Sequence, residues 1–500
     1  PWVLRKHAEM LADAGIDVVF CDCTNGTLTY SDSYEALMKT WDQAQKDGVK
    51  VPKIAFLLPF GAVPNSLVSL RQLYNDVYKP GRYENLWFRW KGKPLIMAYP
   101  DNLTDSPEDR AIADFFTFRP GQPDYVSGPF PNRNDQWSWL EIYPQHGYVK
   151  GPDGGFEQVS VGLAQNTSFA FKGHCNAFNT KETFGRNFSM LNGFDPRVDG
   201  YLYGWNFDEQ WERAYELDPE LVFVTGWNEW TAMRFVNPGG IHKVGEYDCK
   251  KGDSYFVDLF NHEFSRDIEP LRGGFGDNYY YQLCDFIRRY KGVEPIEVHS
   301  DIHRIDPGDM TTWQQVKAVY ADDRGDTFHR NHIGYGRIGQ LINTTGRNDI
   351  VEAKMANDGK TLWFYVRTDR PITSCTDPKW MRLFIDVKSS GLPDWEGFQY
   401  AVGNPAADGS KTALSRSRNG WNWEKIADLD YRVSDNEMVV AVPFAAIGMK
   451  NPKSFTVDFK WIDNAVDQGD IQQCLSDGDA APNGRFRYRY IFEQQPDKTR

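Results

Sequence analysis

A glutamate stands between two tryptophans in Val224-Thr225-Gly226-Trp227-Asn228-Glu229-Trp230. Indole rings lower the local dielectric and raise a carboxyl pKa, so Glu229 could exchange a proton near neutral pH as a general acid or base. Flat rings also pack on the apolar faces of sugars. Cleaving a glycosidic bond takes two carboxylates, about 5 Å apart for direct attack and further apart when water intervenes. Glu141, in Trp137-Ser138-Trp139-Leu140-Glu141-Ile142-Tyr143, is the natural partner, and Asp22 is a third candidate. Trp227, Trp230, Trp139, Tyr99 and Trp205 could line sugar subsites, with Asn228, Asp101 and Asn25 bonding hydroxyls. Each has a plainer reading: a buried glutamate satisfied by backbone, a salt-bridged structural Glu141, tryptophans that only fill a core. Asp208 and Glu209 read as residues that cap a following helix.

Other chemistries find little support. His174 and His242 are isolated, so a metal role lacks the further ligands it needs. Seven cysteines are spread thinly without repeated zinc-like spacing, and Cys21-Asp22-Cys23 offers only two thiols. Gly273-Gly274-Phe275-Gly276-Asp277-Asn278 lacks the Lys-Ser/Thr of a phosphate loop, and no GxGxxG follows the first apparent strand. No metal and no cofactor are expected. Lys+Arg 56 against Asp+Glu 69 leaves a formal charge of −13, which argues against nucleic acid. No apolar run is long enough to span a bilayer. The aromatic share is high, with 17 Trp, 25 Tyr and 32 Phe, as suits a chain that grips carbohydrate.

Strands and helices alternate along the first part of the chain. Helical spacing at 2–14 is followed by a β-branched run at 16–20, and βα units recur with strands at 53–58, 94–99, 115–118, 137–143, 158–162 and 221–225. Continuous apolar strands between helices mean a parallel sheet covered on both faces. The number of units over about 290 residues predicts an α/β fold, a (β/α)8 TIM barrel over 1–293, whose catalysts sit at the C-terminal strand ends. The chain opens on a helix, so the barrel's first strand is expected to lie upstream; alternatively 201–205 supplies a strand. From 294 to 500 the pattern turns to short alternating strands, with a hairpin turn at Asn357-Asp358-Gly359-Lys360, which predicts an antiparallel β-sandwich.

Gly226-Trp227-Asn228-Glu229-Trp230, with Gly15-Ile16-Asp17 and Lys93-Pro94-Leu95-Ile96-Met97, resembles the glycoside hydrolase family 99-like and 71-like barrels over about residues 1–292. Family 99 enzymes are retaining endo-α-mannosidases with paired glutamates in an N-E-W-x-E pattern. Glu229 matches the first of these; the second position is Ala232, whose methyl donates no proton. The resemblance therefore implies a glycoside hydrolase with another acid, Glu141 or Asp22, and does not carry the mannoside over. The second domain resembles the family 9 carbohydrate-binding-module and DOMON-like sandwiches through Asn348-Asp349-Ile350-Val351-Glu352-Ala353, Leu362-Trp363-Phe364-Tyr365-Val366 and Leu383-Phe384-Ile385-Asp386-Val387 with Trp395-Glu396-Gly397-Phe398. Trp395, Trp421 and Trp423 are its candidate sugar rings. The expectation is a secreted, periplasmic or cell-surface bacterial enzyme, monomeric, acting on an oligo- or polysaccharide. Its rivals are a non-catalytic carbohydrate-binding protein with a degenerate barrel, motivated by Ala232, and a polysaccharide lyase.

Overall fold

The computed structural model describes all residues except 168–175, 181–182, 231–233, 245–246, 328, 334–338, 389–390, 451, 465–468 and 495–500. Ala232, His174 and Cys175 therefore lie outside the described residues. The chain forms two compact units. Pro1–Met10, Gln43–Lys50 and Glu294–Arg500 make one, and Leu11–Asp42 with Val51–Val293 make the other.

In the α/β unit, strands alternate with helices: α1 (Trp2–Ala14), β1 (Val18–Asp22), α2 (Ser31–Lys46), β2 (Lys53–Leu57), α3 (Pro64–Leu73), β3 (Arg89–Trp90), β4 (Lys93–Met97), α4 (Pro107–Phe115) and β5 (Thr117–Phe118). They continue with β6 (Tyr148–Lys150), β7 (Phe156–Gly162), the small hairpin β8 (Phe188–Ser189) and β9 (Gly193–Phe194), α5 (Trp205–Leu217), β10 (Leu221–Thr225) and α6 (Asn278–Lys291). The first residues of α1 and the last of α2 belong to the other unit. Strands β1, β2, β4 and β5 pair in parallel, in that order. A second sheet holds the parallel pair β7 and β10. Both faces of β2 and β4 are buried, as their unbroken apolar runs require. Helix α4 starts where its sequence signals it: Ser106 accepts the Asp109 amide and Pro107 occupies the first turn.

Two strand expectations need correction. Segment 137–143 pairs only at Trp137, through a single parallel bridge to Gly121. Its alternating pattern is held instead by side chains of β7. The Gln158 side-chain carboxamide accepts through Oε1 from the Ser138 backbone N–H at 2.9 Å and donates through Nε2 to the Ser138 carbonyl at 2.7 Å, which replaces a ladder. Residues 201–205 are not a strand either. Gly200–Leu202 is a 3-10 turn, and Trp205 opens α5 after Gly204, at φ 66°.

In the β-rich unit, strands at Val319–Ala321, Ile350–Asn357, Thr361–Thr368, Glu437–Pro443 and Tyr431–Ser434 form one antiparallel sheet. A larger sheet runs through Tyr488–Glu493, Ser454–Asp463, Arg382–Asp386, Tyr400–Gly403, Thr412–Ser417 and Trp423–Leu429. Met355, Phe364 and Val440 from the first meet Leu383, Phe459, Trp461 and Tyr490 from the second in one core. The turn at Asn357-Asp358-Gly359-Lys360 joins two adjacent strands, with Gly359 at φ 87° and Asp358 accepting the Lys360 and Thr361 amides. Trp395, Trp421 and Trp423 gather around Phe384 on the larger sheet.

Candidate functional site

Strand β10 ends at Thr225 and delivers the Trp227-Asn228-Glu229-Trp230 segment. A later loop runs beside it and fixes its course. Gly226 donates to the Arg266 carbonyl, the Trp227 carbonyl accepts from Ile268 and Glu269, and the Glu229 amide donates to Asp267. This pairing brings four charged residues onto the motif that the sequence did not reveal: Asp258, Arg266, Asp267 and Glu269. They lie some 30–40 residues downstream, with no periodicity to mark them.

Arg266 is the node. Its side chain is buried, and one guanidinium nitrogen donates to both Glu229 Oε2, at 3.0 Å, and Asp258 Oδ1, at 2.8 Å. Those two oxygens therefore lie within about 6 Å of each other, close to the spacing of a carboxylate pair that attacks directly. The guanidinium also packs on the rings of Trp139, 5.6 Å away, and Phe178, 5.5 Å away. Burial pushes the Glu229 carboxyl up to about 7, with Asp258 and Asp22 adding to the rise and Arg266 opposing it. Burial also raises Asp267. Glu229 remains partly open to solvent, with 40% of its side chain exposed. Trp230 is exposed, and its indole nitrogen is pinned by Glu269, which also accepts from Asn228 Nδ2 at 2.6 Å.

The structure thus brings together Glu229, Trp227, Asn228, Trp230 and Trp139, with Asp22 close enough to act on Glu229 electrostatically. Asp22 is itself exposed and accepts the Thr24 amide at 2.8 Å. Glu141 is set apart. It is fully buried and accepts from the His146 amide, the His146 ring and the Tyr148 hydroxyl, a carboxylate that ties its own loop together. Tyr99 is buried too: its hydroxyl donates to the Gly121 carbonyl, and Arg133 lies over its ring while pairing with Asp101. Asn25 is exposed in the turn after β1. Trp205 is exposed at the start of α5, stacked on Tyr203 and donating to Asp195. Asp208 and Glu209 lie in the first turns of α5; Glu209 accepts the Met190 amide and is pushed by burial to about 7.

Other charged residues come together in the β-rich unit. Asp322, Asp326 and Asp479 bring one oxygen each to within 4.8 Å of one another. Among the described residues no helix is long and apolar enough to cross a membrane.

No protein-family model matches the chain, and no curated protein matches it. Solved structures to which it is similar include a protein from Bacteroides uniformis described as carbohydrate-binding. That match has 9% identity and a TM-score of 0.24, covering 39% of this chain and 98% of that one. Another is a family 9 carbohydrate binding module from Caldicellulosiruptor kristjanssonii in complex with glucose. There the identity is 10% and the TM-score 0.23, over 41% of this chain and 97% of that one.

Proposed function

We propose that the α/β unit binds carbohydrate at the Glu229 site and hydrolyses a glycosidic bond there. The observation that carries this reading is the Glu229–Arg266–Asp258 arrangement: two carboxylates on one guanidinium nitrogen, one of them with its pKa raised to about 7. A carboxyl that keeps its proton near neutrality can protonate a leaving oxygen. Glu229 is that acid. Asp258, held at short range by the same cation, is the second carboxylate, as nucleophile or base. Trp230 and Trp139 offer ring faces for the sugar beside them. The parallel sheets are read as arcs of one (β/α)8 wall, because Phe20 of β1, Leu57 of β2, Met97 of β4 and Phe223 of β10 pack in a single cluster. On that wall the site occupies the C-terminal strand ends.

A binding role without catalysis is the second reading. It is favoured by the way each carboxylate commits an oxygen to Arg266, an ion-pair role that needs no proton transfer. Glu229→Gln separates the two. In hydrolysis, the variant keeps binding to a glycan panel by calorimetry and loses product release by at least about a hundredfold. If the wild-type chain binds oligosaccharides but releases no sugar, the binding reading stands and the hydrolase reading falls. Unchanged turnover in Glu229→Gln would remove Glu229 from any catalytic role.

A further inference from the structure

The β-rich unit contains a charge arrangement that the Glu229 site does not use. Asp322, Asp326 and Asp479 each tie one carboxylate oxygen to a protein donor. The Tyr488 hydroxyl donates to Asp322 Oδ1 at 3.2 Å, Lys6 Nζ to Asp326 Oδ2 at 3.1 Å, and the Ile350 amide to Asp479 Oδ2 at 2.5 Å. The other oxygen of each, Asp322 Oδ2, Asp326 Oδ1 and Asp479 Oδ1, is buried and has no hydrogen-bond partner among the described residues. Asp326 and Asp479 are each only 2% exposed. Leaving one buried acceptor unsatisfied costs on the order of 1–3 kcal/mol, and more when it is charged. Three such aspartates in one cluster call for a shared donor or cation.

The cations already present do not fill that need. Lys6 reaches Asp326 but divides itself with Glu9, whose Oε2 is 3.1 Å away. Arg5 is spent on Glu9, Asp47 and the Arg324 carbonyl. Lys460 donates to the Pro482 and Phe486 carbonyls. Asp323 and Asp349 add further negative charge around the triad. Burial and mutual repulsion hold Asp322 and Asp479 well above the ordinary carboxylate range.

We infer that Asp322, Asp326 and Asp479 hold a hard divalent cation, calcium, between the loop after Val319–Ala321 and the short strand Asp479–Ala481. The donor set is oxygen only, which suits calcium and not zinc, whose sites favour histidine and thiolate. Calcium binds oxygens at 2.3–2.6 Å, so oxygens across the ion stand up to about 5 Å apart; the observed limit of 4.8 Å fits that span. Magnesium, at about 2.1 Å, asks for a tighter cage. The ion joins two segments some 150 residues apart in sequence, and Ile350 couples the site to the neighbouring sheet through Asp479.

The test uses the full chain, stripped with chelator and titrated with calcium chloride by calorimetry at pH 7.5. One-to-one binding is expected, with a rise in melting temperature at millimolar calcium. Asp479→Asn and Asp326→Asn are each expected to weaken binding at least about tenfold. Asp322→Asn, at the more open edge, serves where the buried variants fail to fold. The proposal is overturned if the stripped wild type shows neither heat nor a melting shift with calcium. It is equally overturned if folded variants bind calcium as the wild type does, or if zinc binds more tightly than calcium at this triad.

Discussion

At the scale of single residues, the site's behaviour turns on Arg266. Its guanidinium touches Glu229 and Asp258 together while resting on Trp139 and Phe178. It lowers the Glu229 pKa against burial, which still prevails and leaves the group at about 7. Removing the cation would leave two carboxylates within about 6 Å and unshielded, and like charges at that range push one pKa strongly upward. In the Arg266→Met variant the alkaline limb of any cleavage profile should therefore move to higher pH, because Glu229 stays protonated further up the scale. Arg266→Lys, which restores a point charge without the fork, should return the limb part of the way. A pH–rate profile from about pH 5 to 9 decides it; a limb that stays put in both variants would mean that Glu229 is not the titrating acid. Glu141 teaches the complementary lesson. It too lies among aromatic residues in the sequence, yet three donors of its own loop consume it.

Elements carry these residues, and their legibility in the sequence was uneven for physical reasons. Strands β2 and β4 read directly, because burial on both faces demands an unbroken apolar run. Segment 137–143 misled, because period-2 alternation is also what results when a neighbouring strand's Gln158 amide stands in for a ladder. Arg266 and Asp258 were invisible, since a loop that pairs with a strand end has no pattern of its own. The aspartate triad was hidden by distance along the chain, with Asp479 far from Asp322 and Asp326. Helix α5 shows how a connection is locked. Asn206, 2% exposed, donates to the carbonyls of Gly162 and Leu163 and to the Gln165 side chain, and the Gly162 amide donates to Gln210. Asn206→Ala strands those acceptors at the end of β7. A loss of about 1–3 kcal/mol is expected in urea unfolding; a loss below about 0.5 kcal/mol, the range of an inert surface change, would contradict the role given to this lock.

For the whole molecule, the distribution of perturbed carboxyls sets a pH response of stability. In the α/β unit Glu209, Glu229 and Glu263 are each pushed by burial to about 7. A carboxyl whose folded pKa is raised binds its proton more tightly in the folded state than in the unfolded one. Its contribution is fully present below the ordinary glutamate value, near 4.5, and is lost as pH rises through about 7. Carboxylates with depressed pKa, such as Asp109 beside Arg71, act in the opposite sense but titrate below that window. Between pH 5 and 7.5 the raised carboxyls therefore dominate, with Glu9 and Asp349 of the β-rich unit, also pushed up to about 7, adding to these glutamates, and the melting temperature should fall as pH rises across it. Glu263 is a clean probe, since it is not among the groups that shift Glu229; it accepts the Asn187 amide at 3.0 Å, and its Oε2 is buried without a hydrogen-bond partner among the described residues. Glutamine at 263 cannot ionise, so Glu263→Gln should flatten the slope, as should Glu209→Gln, and the double variant should flatten it further. Melting scans at fixed ionic strength, with chelator present so that the aspartate triad is free of metal at every pH, give the measurement. A wild-type melting temperature that rises from pH 5 to 7.5 would show that these buried glutamates do not govern stability in that range.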